Sequence, residues 1–420
     1  MMWRDGEVLS QRSVWGPAGR RCAELEVRII QAPKGASSLR SGHTCRAVAY
    51  EQLTGLPQPA ERIRLEVSAL DRALGTGGHA MVSARLDVLP PDAPRAGHLV
   101  KARYMPDQVM VAGVDEQGTA HHGTLSAPVD ELGLDGVPVV VADLHSSLPA
   151  VLAGLRSPST RTTTCATDGG TAESDDERSH RASRPGPRPP RAVYVMTDGG
   201  ALPLAYSRAV ASLSGAGWLA GTVTAGQAWG GDLEAVSLHN ALLAAVHVLR
   251  AEVVVVIQGP GNLGTDTPWG FSGVACGEAV DAVATLGGRP VACLRVSGAD
   301  PRERHRGVSH HSLTAYGRVA RAAADVVVPE LPGPFGERVR ADAAPLAETR
   351  PGAVPHRLVE VGTEGLLEAL LAMEEATGVR LSTMGRGLDE DESAFLAAAV
   401  AGRHAADLLA HGAGTPAAVR

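Results

Sequence analysis

The feature that most constrains this chain is a series of short apolar runs, each followed by a polar, glycine-rich turn and then by a helical pattern. The runs fall at 139–144, 192–196, 221–224, 253–257, 291–296 and 325–328, with 358–361 as a further strand. Helical patterns fall at 148–155, 202–213, 232–250, 273–286 and 310–324. Strands that are apolar throughout need both faces covered. Their alternation with helices therefore predicts a parallel, doubly wound α/β sheet. The helix over 232–250 is the clearest. Asp232 is its expected N-cap, and Leu233, Val236, Leu242, Leu243, Val246 and Leu249 form its apolar stripe. His239 and His247 lie within or beside that stripe and read as structural.

The N-terminal part follows a different pattern. Residues 7–10, 24–30, 45–50, 62–67 and 81–88 are rich in Val, Ile and Leu, several with strict alternation, which predicts a small all-β barrel or sandwich. Gly75-Thr-Gly-Gly78 has no helix after it, so it reads as a strand connection and not as a phosphate cradle. The expected organisation is a barrel-like domain over 1–96, bridging strands over 97–136 and an α/β domain over 137–388. A C-terminal helix and tail over 389–420 complete it. Within the bridge, 101–104 and 109–112 are strand-like. Residues 157–191 are too poor in apolar groups to offset their conformational entropy and are expected to be disordered. Residues 332–356, rich in Pro and Ala, are expected to form a long loop, and 395–409 a helix.

Composition narrows the function classes. The net charge is -7 and there is no long basic run, so a general nucleic-acid-binding role is not expected. The basic residues are almost all Arg, with Lys34 and Lys101 the lysines, so an Arg as such does not signal anion binding. The cysteines (Cys22, Cys45, Cys165, Cys276, Cys293) are widely spaced and odd in number. They form neither a disulfide framework nor a zinc ribbon and suit a reducing cytoplasm. No apolar run approaches the ~20 residues that span a bilayer, and the N-terminus lacks a signal-peptide core. The expectation is a cytoplasmic protein with a small-molecule ligand, no nucleic-acid partner and no membrane contact.

In a doubly wound sheet, ligands bind at the carboxyl ends of the strands. Those ends carry Asp143, His145 and Ser146; Asp198, Gly199 and Gly200; Gly231 and Asp232; and Gly259, Gly261, Gly264 and Thr265. The glycines from 259 to 264 follow a G-x-G-x-x-G spacing after a strand, which suits close approach of backbone amides to an anion, although Pro260 removes one donor. The densest cluster is 297–311, between a strand and a helix. It holds Asp300, Arg302, Glu303, Arg304, His305, Arg306, Ser309, His310 and His311.

Three readings of it stand. Asp300, His305, His310 and His311 suit a divalent metal, the one cofactor these residue types suggest, with one of the adjacent pair at most turned inward. Alternatively Arg302, Arg304 and Arg306 grip a phosphate or carboxylate, with His310 as acid or base. In the third, Asp300 and Ser309 cap and the arginines are solvated. Asp143, His145 and Asp198 are expected to face the cluster across a cleft. There is no G-x-S-x-G elbow, no H-E-x-x-H and no nucleophilic Cys motif, and Cys276 and Cys293 read as small core residues.

Several motifs together resemble a known family. They include Arg46-Ala-Val-Ala-Tyr50 with Leu53-Thr-Gly55, Leu74-Gly-Thr-Gly-Gly78, Gly97-His98, Lys101, Arg103-Tyr104 and Leu144-His-Ser146. Val195-Met-Thr-Asp-Gly-Gly-Ala-Leu-Pro203, Gly226-Gln-Ala-Trp-Gly-Gly-Asp-Leu-Glu-Ala235 and Gly270-Phe-Ser-Gly273 follow, then Asp300-Pro-Arg-Glu-Arg-His-Arg-Gly307 and Ser309-His-His311. The chain is similar in these to an uncharacterised bacterial family, domain of unknown function 3866, from near its N-terminus to Gly385-Arg-Gly387. It departs from the family pattern at Gly261-Asn-Leu-Gly264, at Lys101-Ala-Arg-Tyr-Met-Pro106 and in the insertion at 157–191. The resemblance implies no activity. The leading expectation is an enzyme acting on a polar or phosphorylated metabolite, with His305, His310, His311 and Asp198 at the chemistry. Its rivals are a non-catalytic ligand-binding or regulatory protein, and an assembly protein whose barrel docks a partner.

Overall fold

The structure is a computed structural model that describes residues 1–75, 77–92, 97–157, 159 and 188–412. Strands β1 (Trp3–Trp15), β2 (Cys22–Gln31), β3 (Thr44–Tyr50), β4 (Arg62–Glu66) and β5 (Ala80–Arg85) close into a barrel in the order β1-β2-β3-β5-β4. Alternate residues point inward, so Leu25, Val27, Ile29, Ala47, Ala49, Ile63 and Leu65 fill it completely. β1 runs well beyond the expected 7–10. Its second half, from Leu9 on, is half-exposed and mixes Leu9, Val14 and Trp15 with Ser10, Gln11, Arg12 and Ser13, without the regular alternation of the first half.

Two short strands, β6 (Leu99–Lys101) and β7 (Val109–Val111), form an antiparallel hairpin. Val109 and Val111 pack with Cys22, Val48 and Tyr50 of the barrel and Trp229 of the next domain, so the bridge shares a small core with both. Lys101, 1% exposed, donates to the carbonyls of Thr224 (3.0 Å) and Ala228 (2.7 Å) and to Glu234 Oε2 (2.8 Å).

The second domain holds β8 (Pro138–Ala142), β9 (Ala192–Thr197), β10 (Gly221–Thr224), β11 (Leu233–Glu234), β12 (Val253–Gln258) and β13 (Arg289–Cys293). A hairpin of β14 (Val296–Ser297) and β15 (Gly307–Val308) follows, then β16 (Asp325–Glu330) and β17 (Arg357–Gly362). Eight of these make one parallel sheet in the order β11-β10-β9-β12-β8-β13-β16-β17. The fold is therefore α/β, a closed barrel followed by a parallel sheet with helices.

The helices are α1 (Leu148–Leu155), α2 (Arg208–Gly215), α3 (Leu238–Leu243), α4 (Ala275–Thr285), α5 (His310–Thr314), α6 (Gly333–Ala343), α7 (Leu366–Thr377) and α8 (Glu392–Gly412). α1 packs on α7 and α8 on one face of the sheet. α4 packs on α3 and on the turn continuing α5 on the other. Contact between α1 and α8 is backbone to backbone. A Cβ on Gly154 would lie 1.8 Å from the Ala399 carbonyl oxygen, and one on Gly402 would lie 1.9 Å from that of Val151. Among the described residues no helix is long and apolar enough to cross a membrane.

Three expectations need correction or qualification. Residues 332–356 are not one loop, because Gly333–Ala343 is helical. Its proline falls in the first turn, where no amide donor is missed, and Val339 and Ala343 are fully buried. Asp232 does not cap a helix. It accepts from Thr222 N (2.9 Å) and Arg20 Nη2 (2.7 Å), while Ser237 caps the helix that begins at Leu238. Leu233 instead enters β11, Val236 is exposed, and His239 is exposed too. Most of the stretch expected to be disordered lies outside the described residues.

Candidate active site

β8 leads into α1 on one face of the sheet. Its two neighbours, β12 and β13, lead into helices on the other face. The chain therefore diverges on both sides of β8, and a crevice opens over its carboxyl end. Asp143 follows β8, Gln258 ends β12 and Arg295 follows β13, so three polar side chains meet at that point.

Asp143 is 5% exposed. Its Oδ1 accepts from Asn262 Nδ2 (2.7 Å) and Gln258 Nε2 (3.2 Å), and its Oδ2 accepts from His311 Nδ1 (3.0 Å) and Arg295 Nη1 (3.3 Å). Burial alone would raise this carboxyl. The His311 hydrogen bond and the Arg295 charge outweigh it and hold Asp143 below the usual carboxylate range. Arg295 Nη1 also lies 3.1 Å from His311 Nδ1. That nitrogen cannot both donate to Asp143 and accept from Arg295. A lone pair turned toward the carboxylate would be repelled, so the assignment is Nδ1–H to Asp143, with Nε2 left free. Gln258 donates its amide N–H to Asp143. Its Oε1 is buried without a hydrogen-bond partner among the described residues, and reversing the amide would set that oxygen against the carboxylate.

The β14–β15 hairpin and the start of α5 bring His305, His310 and His311 together. One ring nitrogen of each lies within 4.8 Å of those of the other two. Ring centroids are 5.0 Å apart for His305 with either neighbour and 4.6 Å for His310 with His311. Both adjacent histidines therefore face the cluster, against the expectation that one at most would. Ser309 organises the group. Fully buried, its Oγ accepts from the His311 amide (3.2 Å) as the cap of α5 and bonds His305 Nδ1 (2.7 Å). Phe271 stacks on His311 with centroids 3.8 Å apart and an interplanar angle of 8°, and meets His310 edge-on. Burial, then neighbouring positive charge, pulls His305 down to about 3 and His310 to about 4, so both imidazoles are neutral at neutral pH.

Above the cluster lies a cavity of about 640 Å³. Of the expected site residues, His145, Gly261, Gly264, Thr265, Arg302, Arg304, His305, His310 and His311 line it. His145 is spent on structure. Its Nδ1 bonds Tyr194 Oη (3.1 Å), its Nε2 bonds Ser207 Oγ (2.7 Å), and burial lowers it to about 4.

The remaining expected residues lie apart. Asp300 pairs with Arg302 through both carboxylate oxygens (2.9 Å each) and with Arg386 (3.3 Å), well away from the metal-ligating role expected of it. Asp198 accepts from the Gln227 amide (2.9 Å) in the turn after β10 and does not line the cavity. Gly200 and Gly259 let the loops after β9 and β12 touch, for a Cβ on either would fall 2.1–2.2 Å from a carbonyl oxygen of the other loop, and one on Gly199 would fall 2.2 Å from Gln258 Oε1. Gly231 packs against Thr224, and Asp232 serves the β10 turn.

Arg295, Gln258, Asn262 and Phe271 are the residues the sequence reading passed over. Arg295 and Gln258 did leave a trace, each a polar side chain at the edge of an otherwise apolar strand.

A family model described as Protein of unknown function (DUF3866) matches residues 46–172 and 180–402, more than half of the chain. No curated protein matches the chain.

Proposed function

We propose, for a chain that belongs to the family of proteins of unknown function DUF3866, that it is an enzyme acting on a small anionic metabolite in the cavity over Asp143. The observation that carries this is the buried Asp143–His311 pair, which fixes one imidazole tautomer and opens toward a cavity of a size usual for small ligands. The charged lining supports an anion. Arg295, Arg302, Arg304 and Arg380 line the cavity, with Asp266 as the single carboxylate among the described lining residues. Among the described residues Arg304 pairs with the exposed Asp266 alone, a pair that an anionic ligand displaces at little cost, and Arg380 has no ion pair there. A thiol nucleophile is not part of the reading, because burial pushes Cys293 up to about 12. Proton transfer or hydrolysis on a phosphorylated or carboxylated compound is the chemistry that fits. A reducing, cytoplasmic setting belongs to the same proposal and suits the free thiols Cys22, Cys45, Cys276 and Cys293.

The test is a thermal-shift and turnover screen of the full chain with sugar phosphates, nucleotides and carboxylates. Anionic members should stabilise the protein, and Arg304→Ala combined with Arg380→Ala should abolish that response. Stabilisation without turnover would favour a binding protein instead. A response unchanged in the double variant would overturn the cavity as the site.

A further inference from the structure

We infer that His305, His310 and His311 form a centre for a divalent transition metal of the zinc class. This rests on the cavity being the functional site and names what would sit at its floor. Four observations carry it.

The three ring nitrogens already lie within 4.8 Å of one another, and about 3.4 Å would suffice for three corners of a tetrahedron with metal–nitrogen bonds of ~2.05 Å. Rotations of the rings by a fraction of an ångström at the nitrogen close that difference. Next, the outer nitrogens are held as ligating histidines require. His311 Nδ1 donates to Asp143 and His305 Nδ1 bonds Ser309, which leaves Nε2 free on both. His310 has no hydrogen-bond partner for either nitrogen among the described residues, although it is flanked by two rings that do, and a metal would give it one. Third, the supporting groups are rigid. Ser309 is fully buried, and Asp143 is fixed by Asn262, Gln258 and Arg295 as well as by His311. Finally, three imidazoles leave a fourth position, and His305, His310 and His311 all line the cavity, so that position opens where a substrate would lie.

Imidazole ligands favour zinc, copper, nickel or iron over magnesium or calcium, which prefer oxygen ligands. Arg295 and Asp143 cancel one another beneath the cluster, so a bound dication would leave the floor positively charged. That matches the anionic substrate class proposed above and gives hydrolysis a source of activated water.

The experiment uses untagged full-length protein, stripped with a chelator and titrated with Co²⁺ and Zn²⁺. Cobalt should bind at about one equivalent per chain, with the intense visible absorption of a four- or five-coordinate site, and zinc should displace it. His310→Ala and His305→Ala should each weaken zinc binding at least 100-fold. Asp143→Asn, a positioning change, should weaken it about 10- to 100-fold at unchanged stoichiometry. His145→Ala, on the same cavity wall, should leave it unchanged. If a His310→Ala variant fails to fold by circular dichroism, His310→Gln serves in its place. Absence of stoichiometric cobalt binding, or equal zinc affinity in wild type and the folded His310 variant, overturns the metal centre. Metabolite stabilisation of the stripped protein is read separately, so loss of the metal inference leaves the cavity reading standing, and the reverse.

Discussion

Lys101→Met offers a sharp test of how the bridge is fastened to the sheet. The lysine is 1% exposed and its three protons go to the Thr224 and Ala228 carbonyls and to Glu234 Oε2. Methionine keeps the stem and removes all three donors. Thr224 O still accepts from the Ala235 amide, and Glu234 still accepts from Thr224 Oγ1 (2.6 Å) and Gly230 N (2.7 Å). The loss therefore concentrates on the Ala228 carbonyl, worth about 1–3 kcal/mol when orphaned, and on a buried carboxylate without its countercharge. Breaking one side of such a pair costs about 3–5 kcal/mol in total. With a urea m-value of about 3 kcal/mol/M, the midpoint should fall by roughly 1–1.7 M. Tryptophan fluorescence is a suitable probe, because Trp229 packs in the core shared by barrel, bridge and sheet. The double variant Lys101→Met/Glu234→Gln removes the stranded charge and should recover part of the loss, with a coupling of at least about 1 kcal/mol. A midpoint within ~0.2 M of wild type, or strict additivity in the cycle, would refute the reasoning.

Other expectations follow from the same kind of geometry. Gly154→Ala drives a methyl into the Ala399 carbonyl at 1.8 Å; the overpacking should exceed the helix-propensity gain and cost at least about 2 kcal/mol by denaturant titration, whereas a neutral or stabilised variant would show that α1 and α8 are not in backbone contact. Burial alone would raise Asp325, but hydrogen bonds from His404 (2.8 Å) and Arg357 hold it at about 2. Its folded value lies below its unfolded one, so about 2 kcal/mol of stability is present above pH 4 and lost as pH falls toward 2, about half of it by pH 3. The stability difference between wild type and Asp325→Asn should shrink over that window, and a constant difference would contradict the assignment. His145, lowered to about 4 by burial, stays neutral when folded. Stability that depends on it should decline as pH drops from about 6.5 toward 4, and an NMR titration placing its ring near 6.5 would sink that account.

The barrel and the parallel sheet were legible because each rests on a periodicity: two for Leu25, Val27 and Ile29, and continuous apolarity for Val253–Gln258. Helix α6 was obscured by its own Gly-Pro start, since the same residues punctuate loops. Asp232 carries the chemistry of a cap but is claimed by Thr222 across the strand ends, a contact no local rule reports. The three histidines could be nominated from their place after a strand. That both His310 and His311 turn inward depends on the first turn of α5 lying on the crevice, with Ser309 as its cap. Strand order was the hidden variable. Asp143 and Asp198 both follow strands, but β12 lies between β8 and β9, so Asp198 does not reach the cavity over Asp143. Arg295, Gln258 and Asn262 share Asp143 only because β12 and β13 flank β8, a pairing fixed by tertiary structure.

The glycine contact between α1 and α8 also bears on how the molecule is made. α1 emerges early in the second domain, yet the helix that covers it follows about 240 residues later, which is roughly 12–48 s of synthesis at 5–20 residues per second. Until then Ala150, Val151 and Ala153, each at most 1% exposed in the finished protein, have no partner from α8. The barrel can close on the ribosome; the sheet must wait for α8, and a chain stalled before Glu392 would present its apolar face to chaperones.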